Sequence, residues 1–278
     1  MISSLFLYAL LALLIGSFLN VCISRIPLKK SLISPGSHCP HCGSAIRFYD
    51  NIRLLSFLLL KAKCRSCGAR ISWQYPLVEL LTALAFLACA LKWHFTPPTY
   101  VNSLLLSVVL ILVFVDYGHR ILPNILTLPG TAAGILLSPL QTRSFYADPL
   151  SRMAASFLWP ASPDSVLPWA GSAMGAIVGA GFLLVTAIGY ERLRHRQGLG
   201  MGDVKMMAMA GAFLGWPLVL LSITAGSVLG VLAGFFLILF RGMNLQTKMA
   251  FGVFLGIGSA ISLFYGPQLF ALWLSMLR

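Results

Sequence analysis

Four of the six cysteines fall into two Cys-x-x-Cys pairs, Cys39-Pro-His-Cys42 and Cys64-Arg-Ser-Cys67, separated by 21 residues. Each pair can turn tightly enough to aim both thiolates at one ion, and two such knuckles at this separation have the spacing of a structural zinc site. Gly43 and Gly68 each follow a second cysteine, where the chain must turn without a Cβ clash. Four thiolates close a tetrahedral site and leave no open position, so the expected role of Zn²⁺ at Cys39, Cys42, Cys64 and Cys67 is structural. The alternatives are two disulfides or four free thiols. His38 and His41 stand beside the first knuckle but are not needed as ligands. Cys22 and Cys89 lie in apolar runs and are expected to be buried small hydrophobes.

The chain has only seven acidic residues. Three of them, Glu79, Asp116 and Asp203, fall in apolar segments or at their edges. An ionisable group placed there costs at least ~2.5 kcal/mol by insertion scales, so each is a functional candidate. Asp116 closes the run Leu110-Ile-Leu-Val-Phe-Val-Asp116, and Asp203 lies in Gly200-Met-Gly-Asp-Val-Lys205. They are 87 residues apart, so any pairing is made by the fold. Two carboxylates converging on one water cannot both ionise at close range and share a proton. One takes a proton from the water while the other donates to a carbonyl oxygen, which is aspartyl protease chemistry. Gly200 and Gly202 would let an extended substrate backbone approach Asp203. The competing structural roles are a helix N-cap for Asp203 and an interfacial carboxylate beside Arg120 for Asp116. For Glu79 a structural role, pairing with a basic residue, outweighs a role in binding a small-molecule cofactor. His119 is expected to be a polar turn residue rather than a base. The sequence has no Ser nucleophile elbow, no His-Glu-x-x-His and no P-loop, which disfavours serine hydrolase, zincin and nucleotide-driven pump.

The elements that must position these groups are membrane helices. The chain is 58% hydrophobic and 10% charged, with mean hydropathy +0.87, against roughly 25% charged residues in a soluble domain. A helix needs about 20 apolar residues to cross the hydrocarbon core. Candidate spans are 2–23, 76–93, 101–117, 122–140, 168–190, 204–216, 217–240 and 250–276, which makes about eight. The first run is uncharged and its basic residues follow it, unlike a cleaved signal peptide, so a retained helix with an external N-terminus is expected. With that orientation the basic residues concentrate in the loops 24–75, 118–121, 191–203 and 241–249, as the positive-inside rule requires of cytosolic segments. The net charge of +13 is thus explained without nucleic acid. Disulfides rarely persist in the cytosol, which favours metal over disulfide at the cysteine pairs. The expected organisation is a first transmembrane helix at 1–23, a cytosolic four-cysteine insert at 24–75 and a multi-helix membrane domain at 76–278. Residues 141–167, with Pro149, Pro160 and Pro163, are expected to form an irregular external loop.

These residues, taken in order, resemble the bacterial prepilin leader peptidases/N-methyltransferases. The resemblance is carried by Gly16-Ser-Phe-Leu-Asn-Val21, Ser37-His-Cys-Pro-His-Cys-Gly43, Tyr49-Asp-Asn-Ile52, Cys64-Arg-Ser-Cys-Gly68, Tyr75-Pro-Leu-Val-Glu-Leu-Leu81, Asp116 with Leu122-Pro-Asn124, and Gly200-Met-Gly-Asp-Val-Lys205. Gln197, Asn124 and Arg53 depart from residues frequent in the family, and none of them touches the proposed pair of aspartates.

The resemblance implies an all-α polytopic membrane enzyme with a small zinc-ribbon-like insert, in the bacterial inner membrane, with its active site and insert facing the cytosol. Its substrates would be type IV prepilins or pseudopilins, cut after a Gly just before their apolar helix by Asp116 and Asp203. The new N-terminal amine would then be methylated from S-adenosylmethionine, whose binding residues the sequence does not identify. The alternatives are a peptidase without methyltransferase activity and a non-enzymatic zinc-bearing scaffold for pilus or secretion assembly. No residue pattern speaks to oligomeric state.

Overall fold

The computed structural model describes residues 2–34, 36–39, 41–46, 56–57, 59–146, 148–195, 198–241 and 249–276. Tyr49–Ile52, Arg53 and Gln197 lie outside the described residues. Among those described, the chain is helical: α1 (Ile2–Arg25), α2 (Gln74–Trp93), α3 (Pro97–His119), α4 (Asn124–Leu137), α5 (Pro149–Leu158), α6 (Pro163–Arg194), α7 (Met201–Leu214), α8 (Trp216–Arg241) and α9 (Phe251–Met276). No strand occurs among them, only the isolated bridges His38–Ala45 and Lys63–Arg70. The chain divides into two compact units, Met1–Ile111 and Leu112–Arg278.

Six helices, α1, α2, α3, α6, α8 and α9, are long and apolar enough to cross a membrane, and the protein is a multi-pass membrane protein. The other two spans expected from sequence are shorter. Both α4 and α7 have 14 residues, about 21 Å at 1.5 Å per residue, against a hydrocarbon core of about 30 Å. The reason is visible for α7. It packs on α4, α6, α8 and α9, and Met206, Met207, Met209, Ala210, Ala212, Phe213 and Leu214 are all buried. A helix surrounded by protein has no lipid to match, and its length is set by its neighbours.

In the first unit, α1 and α2 pack around Tyr8, Ala12, Ala83, Phe86 and Ala90. The Tyr8 and Ser103 hydroxyls lie 2.9 Å apart, joining α1 to the first turns of α3. A Cβ on Gly16 would come within 2.8 Å of the Glu79 Cα, so glycine is what lets the two backbones approach. Glu79 is fully buried at that crossing. Asn20 donates to the carbonyls of Gly16 and Tyr75, closing the end of α1 on the start of α2. Cys22 and Cys89 are buried, as expected.

In the second unit, α6 and α7 are in backbone contact. A Cβ on Gly175 would strike the Gly211 carbonyl oxygen, one on Gly211 the Gly175 oxygen, and one on Gly179 the Met207 oxygen. Gly175 and Gly179, four apart on α6, permit this approach to the α7 backbone. The far end of α7 is also fixed. Tyr146 donates to the carbonyls of Ala212 (3.1 Å) and Phe213 (3.0 Å), Ser172 to Ala212 (2.6 Å), and Gln141 to Phe213 (3.4 Å). These are carbonyls of the last turn, which have no partner inside the helix.

The segment 141–167 is not irregular throughout, as its prolines suggest. It contains α5, and Pro149 and Pro163 open α5 and α6 at the first helical position, where a missing N–H costs nothing. Asp148 caps α5 through Ser151 N (2.8 Å) and Ser151 Oγ (2.6 Å), and accepts from the Trp216 indole.

Candidate functional site

The carboxylate site lies in the second unit, where α3, α4, α7 and α9 contribute. Asp116 occupies the last turn of α3, which ends where Arg120 takes a left-handed conformation (φ 54°) and donates its N–H to the Asp116 carbonyl at 2.8 Å. Asp203 is the third residue of α7. The N-cap is Gly200, not Asp203, and Gly200 takes the extended conformation that a cap requires. The Asp203 carboxylate folds back toward Gly200, its Oδ2 3.3 Å from where a Cβ on that residue would stand.

Both aspartates are buried, at 6% and 8% exposure. The two side chains are near enough for the charge of Asp116 to act on Asp203, and Leu122 packs against both Gly202 and Gly252 beside them. Asp116 Oδ2 has no hydrogen-bond partner among the described residues. A carboxylate pair with an unpartnered oxygen can bind a water and divide its protons. His119 ends α3 on the exposed surface.

The neighbours explain the motif residues. Leu122 packs against Gly202, where a Cβ would come within 2.8 Å of the leucine Cβ. Glycine at 202 therefore serves the fit of α7 against the residues preceding α4. Lys205 donates from Nζ to Asn124 Oδ1 at 2.9 Å, joining the segment after each aspartate to the other. Sequence reasoning misses Gly252, the second residue of α9. Its N–H and that of Val253 lie near the Asp116 carboxylate. A Cβ there would lie 2.8 Å from Asp116 Oδ2 and 3.2 Å from Leu122 Cδ1. The available signal is a glycine at the start of the last apolar run, where no turn follows.

The metal-binding candidate lies in the first unit. All four Sγ atoms of Cys39, Cys42, Cys64 and Cys67 lie within 4.8 Å of one another, and none is in a disulfide. Cys39 and Cys67 are 3.9 Å apart, and a tetrahedral ion with bonds of about 2.3 Å needs sulfurs about 3.8 Å apart. The knuckles are built alike. Gly43 donates to Cys39 O at 2.9 Å and Gly68 to Cys64 O at 3.0 Å, each glycine near φ +70°. Cys39 N then bonds Ser44 O, and Cys64 N bonds Ala69 O. The Ser44 hydroxyl and backbone N–H draw the Cys42 thiol down to about 6. The N–H groups of Cys67 and Ser66 lower Cys64. The donor set thus fits a thiophilic divalent ion.

Comparison with known proteins places the chain in a family. Residues 10–93 match the family described as Bacterial Peptidase A24 N-terminal domain, and residues 103–235 match the Type IV leader peptidase family. The chain is similar to proteins called Prepilin leader peptidase/N-methyltransferase. That of Myxococcus xanthus is 39% identical across 86% of this chain, which spans 64% of the relative's length. That of Pseudomonas aeruginosa is 33% identical over 94% of this chain and 90% of its own, and that of Pseudomonas putida 30% over 95% and 92%. No solved structure matches.

Proposed function

The chain belongs to the type IV leader peptidase family, and on that premise we propose that it cleaves the leader from type IV prepilins or pseudopilins and methylates the new N-terminus. The observation that carries the peptidase half is the convergence of two buried aspartates from α3 and α7 in one unit. In this reading Asp116 and Asp203 share one proton and hold the attacking water between them. One carboxylate takes the water's proton while the other donates to the carbonyl oxygen, and the resulting tetrahedral adduct collapses with proton transfer to the leaving amine. An apolar segment of the substrate stays in the bilayer while its leader reaches the aspartates.

The methyltransferase half rests on the relatives' names, and the methyl donor is S-adenosylmethionine, which supplies a methyl group to the freed amine. Zn²⁺ at Cys39, Cys42, Cys64 and Cys67 holds the insert together, with no open coordination position for catalysis. The protein resides in the inner membrane with the insert and aspartates toward the cytosol, which the basic loops favour. Labelling of a cysteine placed in the insert by an impermeant reagent from outside intact cells would contradict this orientation.

The test of function is incubation of the purified protein with a prepilin and S-adenosylmethionine, followed by mass spectrometry of the product. A shortened substrate about 14 Da heavier than the bare cleaved chain is expected, one methyl group replacing a proton. An intact substrate contradicts the peptidase reading, and a shortened, unmethylated one contradicts the bifunctional reading alone.

A further inference from the structure

We propose that the first turn of α9 belongs to the catalytic apparatus, with Gly252 as a positioning residue for Asp116. The inference rests on the pairing of Asp116 and Asp203 proposed above. Nothing in the backbone demands glycine at 252: among the described residues the glycines with positive φ are Gly43, Gly68 and Gly215. Helix propensity argues against it, since only proline is a poorer helix former than glycine. What remains is space. A Cβ would lie 2.8 Å from Asp116 Oδ2, closer than Cβ atoms pack, and 3.2 Å from Leu122 Cδ1.

The same residue supplies a donor. The free N–H groups of a helix's first turn have no partner inside the helix. Those of Gly252 and Val253 lie near the Asp116 carboxylate, the second also bonding the Ala250 carbonyl at 3.3 Å. Asp116 Oδ2 is buried and has no hydrogen-bond partner among the described residues. The turn therefore does two things. The absent side chain keeps Oδ2 open to the shared water, and the Gly252 N–H supports the carboxylate beside it. Neither contribution is visible from the motif around Asp116, because α9 begins 135 residues later.

The test is Gly252→Ala in the full-length protein, with kcat and KM for prepilin cleavage, zinc content and thermal melting measured together. Displacing a catalytic group by about 1 Å can lower the rate by about 100-fold. We expect kcat to fall by about that factor with KM within about threefold, an altered pH–kcat profile, and zinc and insertion unchanged. Gly181→Ala, where a Cβ meets nothing within 4 Å, is the control and should leave the profile unmoved. Leu122→Ala and the double variant separate the two contacts and serve also if the single variant does not fold. The double variant should stay about 100-fold below Leu122→Ala, because the carboxylate clash persists. Recovery to the level of Leu122→Ala would make Gly252 a mere spacer for the leucine and overturn the proposal. Near-wild-type kcat in Gly252→Ala, with Asp116→Asn inactive, would overturn it while leaving the aspartate pair intact. Cleavage by Asp116→Asn would overturn the pair itself.

Discussion

Lys205 Nζ lies 2.9 Å from Asn124 Oδ1, a bond between the segment that carries Asp203 and the first residue of α4, just past Asp116. Two residues after one aspartate thus meet a residue eight after the other. The bond crosses 81 residues of sequence and bridges the two helix starts. Together with Leu122 packed on Gly202, it fixes how α4 and α7 approach each other beside the carboxylates.

Replacing Lys205 with Met should therefore impair activity more than stability. The pair is exposed, and exposed polar or ionic pairs contribute about 0–1 kcal/mol. A fall in kcat of about tenfold or more is expected with a melting temperature close to wild type, since small shifts at a positioned group weigh heavily on rate. Asn124→Asp keeps the acceptor and adds opposite charge, and should retain cleavage, whereas Asn124→Leu should behave like Lys205→Met. Equal losses for Asp and Leu at 124 would show that the bond to Lys205 is not what matters.

The cysteine cluster predicts about one zinc per chain, bound through sulfur. Ser in place of Cys42 or Cys64 should release the metal and loosen the insert. Acid should do the same, because metal ligation needs the thiolates and protons compete for them. Without metal, hydrogen bonds from Ser44 draw Cys42 down to about 6 while Cys67 is pushed up to about 11, so binding releases protons. Zinc is expected to be retained at neutral pH and lost as pH falls, not as it rises. Metal analysis as pH is lowered, with limited proteolysis of the insert, measures both effects. Zinc-free protein with two disulfides would rule the site out.

The depth at which Asp203 is held depends on the opposite end of α7. Tyr146 is almost wholly buried and bonds two carbonyls of the last turn. Tyr146→Phe keeps the ring and leaves those carbonyls to the remaining donors Ser172 and Gln141. The expected loss is about 1–3 kcal/mol, read as a lowered melting temperature in detergent. The loss from Ser172→Ala should not simply add to it, since both side chains donate to Ala212. Strict additivity in the double variant would show that the two bonds act independently.

Much of this arrangement is legible in the order of the residues. The cysteine spacing leads directly to a cluster whose sulfurs converge, because each knuckle is local and its turn is written in Gly43 and Gly68. Hydropathy finds the long helices because length and composition alone decide them. At α4 and α7 it finds apolar helices of only 14 residues; α7 is buried by other helices rather than by lipid, a difference that composition does not carry. The prolines at 149 and 163 mislead for a related reason: proline breaks a helix interior but opens a first turn. Asp116 and Asp203 stand out because charge is rare in this chain. Gly252 does not, since its significance lies in a contact with a residue 136 positions earlier.

The central claim is that Asp116 and Asp203 together perform the cleavage, and single Asp-to-Asn replacements test it most directly. Asparagine keeps the size of each side chain but removes the shared proton. Purified wild-type, Asp116→Asn and Asp203→Asn proteins should be incubated with a prepilin, and the product N-terminus followed by mass spectrometry. Each variant is predicted to be folded, zinc-loaded and without detectable cleavage, and to methylate a pre-cleaved substrate as wild type does. Near-wild-type cleavage by either variant would contradict the account.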